Sequence, residues 1–269
     1  MTKLLTRKLL AAALLSLIIA PAMAQDLRIG VVPGAYGDSV AKAAEIAKAE
    51  NLNVEVIEFT DWTTPNVALQ AGDIDVNYFQ HVPFLNNAIK ERGYDFGVAG
   101  VGALSNIGLY SLKHKSFDEL PQGGTVAIPN DPVNQGRGLL LLERAGLITL
   151  KEGVGFLGTL DDIVDNPKAL SFTEVEGPQL VRVTPDVDLA LGYPHFIVAS
   201  GTFDPSAGLI YSGIEDRNFA IRFVTKSQDV DRADIKRFIE IYQTSPEVAS
   251  VIDTAFAKDP KLYLLAWKN

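Results

Sequence analysis

Cysteine is absent from the 269-residue sequence, which excludes a disulfide framework and thiol chemistry and leaves stability to the packed core. Histidine is scarce: three occur, at 81, 114 and 195, and no tight spacing links them as metal ligands. There is no G-x-S-x-G, no H-E-x-x-H, no phosphate-binding loop and no G-x-G-x-x-G behind a strand. The common hydrolase, zinc-peptidase, NTPase and dinucleotide signatures are therefore missing, and no metal or cofactor is expected. Basic residues are few: 24 Lys and Arg stand against 33 Asp and Glu, a net charge of −9. Such a surface argues against nucleic acid, whose binding rests on neutralising phosphates, and against anionic lipid. No internal repeat, low-complexity tract or flexible linker is visible.

No apolar run reaches the roughly 20 residues a bilayer span needs. The run Leu9–Ala20 follows Lys3, Arg7 and Lys8 and precedes an A-x-A site at Ala22–Ala24, which reads as a cleaved secretory signal over residues 1–24. With no cysteine behind it to carry a lipid, the expectation is an exported, soluble, unanchored monomer working in a periplasm. Removing the signal takes three basic residues and no acid, so the net charge becomes −12. The rest, within a chain 47% hydrophobic and 21% charged, has ordinary globular composition and is long enough for one large or two medium α/β domains.

Strands and helices alternate. Asp26–Gly34 reads as a strand ending at a Pro-Gly turn, 38–52 as an amphipathic helix with an Asp/Ser start, and Asn53–Phe59 as a period-two strand. A helix with Pro65 near its start and Gly72 as its stop follows, then a strand over Ile74–Phe79 and a helix over Pro83–Gly93. This order predicts a parallel sheet with helices on both faces. From Thr125 the pattern restarts, with strands at 125–129, 169–175, 186–194 and 218–226, a helix through Gly138–Gly146, and two closing helices. Two such blocks suggest two lobes: residues 25–111 plus 215–269, and residues 112–214. Ligands in open α/β sheets sit beyond the carboxyl ends of strands, and two facing lobes place those ends across one cleft.

The segment "IPNDPVNQGRGLLLLERAG" (Ile128–Gly146) puts Arg137 at the mouth of an apolar helix. Asn130 or Asp131 can cap it and Pro132 suits its first turn. A helix N-terminus with a guanidinium fork suits a small carboxylate; a pair with Asp131, or snorkelling over the leucines, serves as well. In "NYFQHVPF" (Asn77–Phe84), Phe79, His81 and Phe84 bracket a strand-to-helix junction. They suit either a satisfied core or an apolar ligand side chain ending in a soft atom. Trp62 holds the matching position after the preceding strand. His114 reads as solvated, and Asp161 and Asp162 as helix-terminus partners rather than a catalytic pair.

Taken in order, "ALQAGDIDVNYFQHVPFL", "VAIPNDPVNQGRGLLLLERAGLITLKEGVG", "NPKALSFTEVEGPQLVR" and "SAGLIYSG" resemble the NlpA/MetQ family, solute-binding components of methionine-type ABC importers. The resemblance covers nearly the whole mature chain. It implies a type II periplasmic-binding-protein fold, with the ligand closed between two α/β lobes and delivered to a membrane permease and its ATPase. It also implies that Arg137 holds the ligand carboxylate, with Asn134 in contact, and that Trp62, Phe79 and Phe84 surround a methionine side chain with His81 beside them. Two positions depart from the family pattern: His195 and Ile221 stand where ligand-contacting asparagines are expected. Imidazole can make one hydrogen bond there and Ile none, which points to methionine or to a related small carboxylate altered at its amino end, such as a derivative or short peptide. A hydrolase using His81 or His195 as base lacks an assembled nucleophile or metal, and a receptor without an importer is left open.

Overall fold

The computed structural model describes residues 26–268; the signal-like run and its A-x-A site lie outside the described residues. In chain order the elements are β1 (Leu27–Val31), α1 (Ala35–Lys48), β2 (Val54–Glu58), α2 (Thr64–Ala71), β3 (Val76–His81), α3 (Val82–Arg92), β4 (Phe96–Val101), β5 (Ala103–Ser105) and β6 (Gly108–Tyr110). Then come β7 (Thr125–Pro129), α4 (Pro132–Arg144), a ribbon of β8 (Thr149–Leu150) with β9 (Ile163–Asp165), β10 (Ser171–Val175), α5 (Leu180–Val183), β11 (Leu189–Gly192) and α6 (Pro194–Ser200). The chain closes with β12 (Ile210–Tyr211), β13 (Ile221–Lys226), α7 (Ala233–Thr244), α8 (Pro246–Ala255) and β14 (Tyr263–Leu265).

The first sheet has the order β2-β1-β3-β13-β4. Its first three strands are parallel, but β13 runs antiparallel to β3 and β4, which corrects the expectation of an all-parallel sheet. The cause is where the chain returns. Ile221, the first residue of β13, pairs with His81, the last of β3, so the strand re-enters at the carboxyl end and must run backwards. Strand alternation splits the apolar residues between two faces. Phe223 joins the core under α1, α7 and α8, while its neighbour Val224 joins the core under α2 and α3. The start of α1 also differs from expectation. Gly34, at φ +99°, turns the chain so that the helix begins at Ala35 rather than at Asp38, a conformation that favours glycine.

The second sheet has the order β10-β7-β11-β6-β12, with β7 parallel to β10 and β11 and with β6 and β12 antiparallel. Leu139, Leu141 and Leu142 of α4 pack into its core with Val126, Ile128 and Leu191. The three residues of β6 lie ahead of the expected break after residue 111 and hydrogen-bond within this second sheet. Two crossings join the sheets, one between β5 and β6 and one between β12 and β13. Asn106 staples them together. Its Oδ1 accepts from Ile107 N at 3.0 Å, Gly213 N at 2.9 Å and Ser212 Oγ at 2.9 Å.

Candidate functional site

One cleft between the two sheets gathers the residues expected to touch a ligand. Trp62, Phe79, His81, Phe84 and Ile221 line it from the first lobe, and Asn134, Arg137 and His195 from the second. The cleft encloses a cavity of about 40 Å³, room for about three waters at roughly 10–15 Å³ each. A solute the size of an amino acid therefore enters only when the walls part.

The cap of α4 forms as its sequence suggests. Asp131 Oδ1 accepts from Asn134 N at 2.9 Å, and Pro132 follows at the first helical position. Asn134 Nδ2 reaches the same carboxylate, at 3.0 and 3.1 Å, so both oxygens of Asp131 are engaged. Burial raises the Asp131 carboxyl to about 6, against the lowering effect of the Asn134 hydrogen bonds.

One turn on, Arg137 is only 7% exposed. It neither pairs with Asp131 nor snorkels to solvent. Its Nη2 donates to Ser212 Oγ at 3.2 Å and its Cζ lies 4.1 Å from the centre of the Phe219 ring. None of the ion pairs among the described residues includes it. Desolvation lowers its pKa to about 10, so it is still a cation at neutral pH. A buried guanidinium without a carboxylate partner is costly unless an anion joins it.

Both cleft histidines are neutral. Burial pushes each to about 3, and Arg137 opposes the charging of His81 further. His81 Nδ1 accepts from Phe84 N at 3.2 Å, so its proton sits on Nε2 and is donated to Asn134 Oδ1, also at 3.2 Å. His195 packs against Tyr36 with ring centres 4.8 Å apart. Its Nδ1 lies 3.3 Å from Ser105 Oγ, and that hydroxyl donates to Asn106 O at 2.8 Å. The serine proton thus points away from the imidazole, and the pair is not set up as nucleophile and base.

The apolar wall is built from ring edges. Phe79 meets Phe84 at 5.7 Å and Trp62 meets Tyr193 at 5.6 Å, both near-perpendicular. The Trp62 ring also lies on Gly177 of the second lobe, where a Cβ would overlap it. Sequence reasoning overlooked Tyr36, Ser105 and Phe219, which line the same cleft. Tyr36 follows β1 as Trp62 follows β2, so the strand-end rule extended to the first strand would have found it. His114 is corrected: it is not solvated but bonded to Asp188 through Nε2 at 2.9 Å, and this bond is the largest cause lowering the Asp188 carboxyl to about 2. Asp162 does cap a short helical turn, accepting from Thr159 N at 2.9 Å.

Two α/β lobes, joined by paired crossings and closed over one cleft, form the type II periplasmic-binding-protein fold. The chain belongs to the NlpA lipoprotein family, whose model matches residues 27–262. It is 41% identical over 232 residues to the D-methionine-binding lipoprotein MetQ of Escherichia coli O157:H7, covering 86% of this chain and 85% of the relative. A nutrient binding protein from Burkholderia cenocepacia, solved bound to methionine, superposes with a TM-score of 0.79 at 39% identity, over 86% of this chain and 97% of the other. A periplasmic substrate-binding protein of an ABC transporter from Coxiella burnetii gives 0.79 at 33% identity, over 86% and 97%.

Proposed function

We propose that this chain is the periplasmic solute-binding component of an ABC importer. It captures methionine or a related small carboxylate between its lobes and delivers it to a membrane permease driven by an ATPase. The observation that carries the reading is Arg137, a cation buried in an interlobe cleft without a carboxylate partner. The ligand acid completes the pair, and hydrogen-bonded charge pairs of this kind are strong. Trp62, Phe79 and Phe84 take the apolar end of the solute with His81 beside them, Asn134 lies at its polar end, and His195 and Ile221 shape the wall where the resemblance leads to an expectation of asparagine. The names of the relatives support methionine as the reference ligand.

The crossings at Ser105–Ile107 and Ser212–Asp216, tied by Asn106, act as the hinge about which the lobe of the first sheet moves against the lobe of the second, which takes in β6 ahead of the expected boundary at residue 111. Closure on solute follows the hinge logic of such receptors. The chain turns nothing over; its histidines position and do not transfer protons. Calorimetry on ligand-stripped protein tests this. Methionine-like carboxylates should bind at micromolar or lower Kd and be recovered unchanged after denaturation, and Arg137→Ala should abolish binding. Full affinity in that variant would end the reading.

A further inference from the structure

Tyr193, 6% exposed, lines the same cleft as Arg137, and its Oη is the one buried side-chain polar atom without a hydrogen-bond partner among the described residues. An orphaned buried hydroxyl is costly, so it marks a place where something outside the chain completes the bonding. The other polar groups of the lining are largely consumed internally. Gln80 bonds Asn66 and Asn77. Asn134 is shared between Asp131 and His81, and both nitrogens of His81 are used. Because Ser105 gives its own proton to Asn106 O, it receives one from His195 Nδ1, and His195 Nε2 is left as an uncharged acceptor.

Among the described residues no Asp or Glu lines the cleft. Asp131 faces the outer groove with Glu91 and Glu176, and Asp216 faces a neighbouring pocket that Arg137 and Phe219 also border, without forming an ion pair with Arg137. Among the described residues the lining therefore offers one full positive charge, the orphan phenol of Tyr193, the neutral imidazole of His195, the Tyr36 phenol and no carboxylate.

We propose that the preferred ligand is a carboxylate monoanion with an apolar side chain and an uncharged hydrogen-bond donor at its α position, as in an α-hydroxy acid or an N-acylated amino acid, and that Tyr193 Oη donates to its carboxylate beside Arg137. A zwitterion would carry an ammonium with three N–H groups into a cleft that is already cationic and offers it neutral acceptors but no carboxylate. An α-hydroxyl or amide N–H brings one donor, which His195 Nε2 accepts, while the acid accepts from Arg137 and Tyr193. The net charge of ligand and cleft then sums to zero. This deepens the receptor role proposed above and rests on it.

The test uses the mature chain, stripped of ligand by unfolding and refolding and titrated calorimetrically at pH 7. The probes are 2-hydroxy-4-(methylthio)butanoate, N-acetyl-L-methionine, L-methionine and D-methionine. The first two should bind at least about tenfold tighter than either methionine, the worth of one charged hydrogen bond. Tyr193→Phe should weaken the two monoanions by about tenfold while leaving the melting temperature unchanged or raised, because it removes a hydroxyl that nothing in the folded chain satisfies. A residue that merely packs would not separate the two readouts in that way. Methionine binding as tightly as the monoanions, or wild-type affinity for them in Tyr193→Phe, overturns the inference and leaves the receptor role standing. If none of the four carboxylates binds, the receptor role falls with it.

Discussion

His81, at the end of β3, donates through Nε2 to the side-chain oxygen of Asn134 on α4 at 3.2 Å, and this bond spans the cleft from one lobe to the other. Each partner is held from behind, His81 by Phe84 N and Asn134 by Asp131. The bond therefore joins two pre-oriented groups and should stabilise the closed form even without solute. Asn134→Ala would leave the His81 N–H unpaired in a buried site, at a cost of about 1–3 kcal/mol. Urea denaturation should show that loss, and small-angle scattering should show a larger radius of gyration for the unliganded variant. Unchanged values in both measurements would mean that the bond does not hold the lobes.

Arg137 should trade stability for function. Replacing it with Met keeps much of the volume, removes a buried cation without an ion pair and forfeits its contacts with Ser212 and Phe219. Swapping buried charges for well-packed apolar groups is often neutral or stabilising. Arg137→Met should therefore fold with a stability within about 1 kcal/mol of the parent and lose at least about 100-fold in carboxylate affinity. A loss of several kcal/mol with affinity retained would make Arg137 a structural residue.

Acid should unfold the protein through the two cleft histidines. Folded His81 and His195 titrate at about 3, whereas an unfolded histidine titrates near 6.5. Between those values the unfolded chain binds the extra protons, so stability falls as pH drops from about 6.5 toward 3, by up to about 1.4 kcal/mol per pH unit for each group. Asp131 works in the opposite sense over a narrower window. Its folded pKa of about 6 lies above its unfolded value, so it contributes stability below that unfolded value that is lost as pH rises through 6. Two histidines outweigh one aspartate. Thermal melts from pH 4 to 7 should rise with pH, and His195→Gln should remove most of the rise, because the one remaining histidine is then nearly offset by Asp131.

Ile221 faces His81 across the β3–β13 ladder and lines the cleft that His195 closes from the other lobe. Replacing both with asparagine supplies two amide oxygens for a ligand ammonium. The double variant should shift preference toward free L-methionine by about tenfold relative to the α-hydroxy acid, read by competition calorimetry. An unaltered ratio would show that these two positions do not set the choice.

The local chemistry of the site was legible and its long-range chemistry was not. Asp131, Pro132 and Asn134 lie within one helical turn, so capping rules alone place Arg137 at the head of α4. The strand-end rule likewise brings Trp62, Phe79 and His81 to one cleft. What escaped depends on contacts between distant residues or on elements too short to show a period. β6 and β12 have three and two residues, below what alternation can reveal. His114 finds Asp188 74 positions away. The antiparallel course of β13 follows from where the chain comes back from the second lobe, which no window around Ile221 contains. The orphan hydroxyl of Tyr193 is a property of everything that fails to reach it, and only the packed structure displays that.

Gly177 carries a prediction that separates closure from contact. It lies outside the lining of the cleft, so its substitution removes nothing that faces a solute. Yet its bare Cα receives the Trp62 ring from the opposite lobe, and a Cβ there would overlap the indole. Trp62 is also braced edge-on by Tyr193, so the ring cannot simply slide aside along that wall. Gly177 has a negative φ, outside the region that only glycine enjoys, so alanine brings no backbone strain of its own. Gly177→Ala should therefore keep each lobe intact and hold the two slightly apart. Ligand affinity should fall by about ten- to 100-fold through a faster off-rate, with little change in urea midpoint. The Trp62→Ala change on the same background should recover part of the closure, because it removes the clash along with the ring. An affinity in Gly177→Ala equal to the parent would show that the Trp62–Gly177 contact plays no part in closing the receptor.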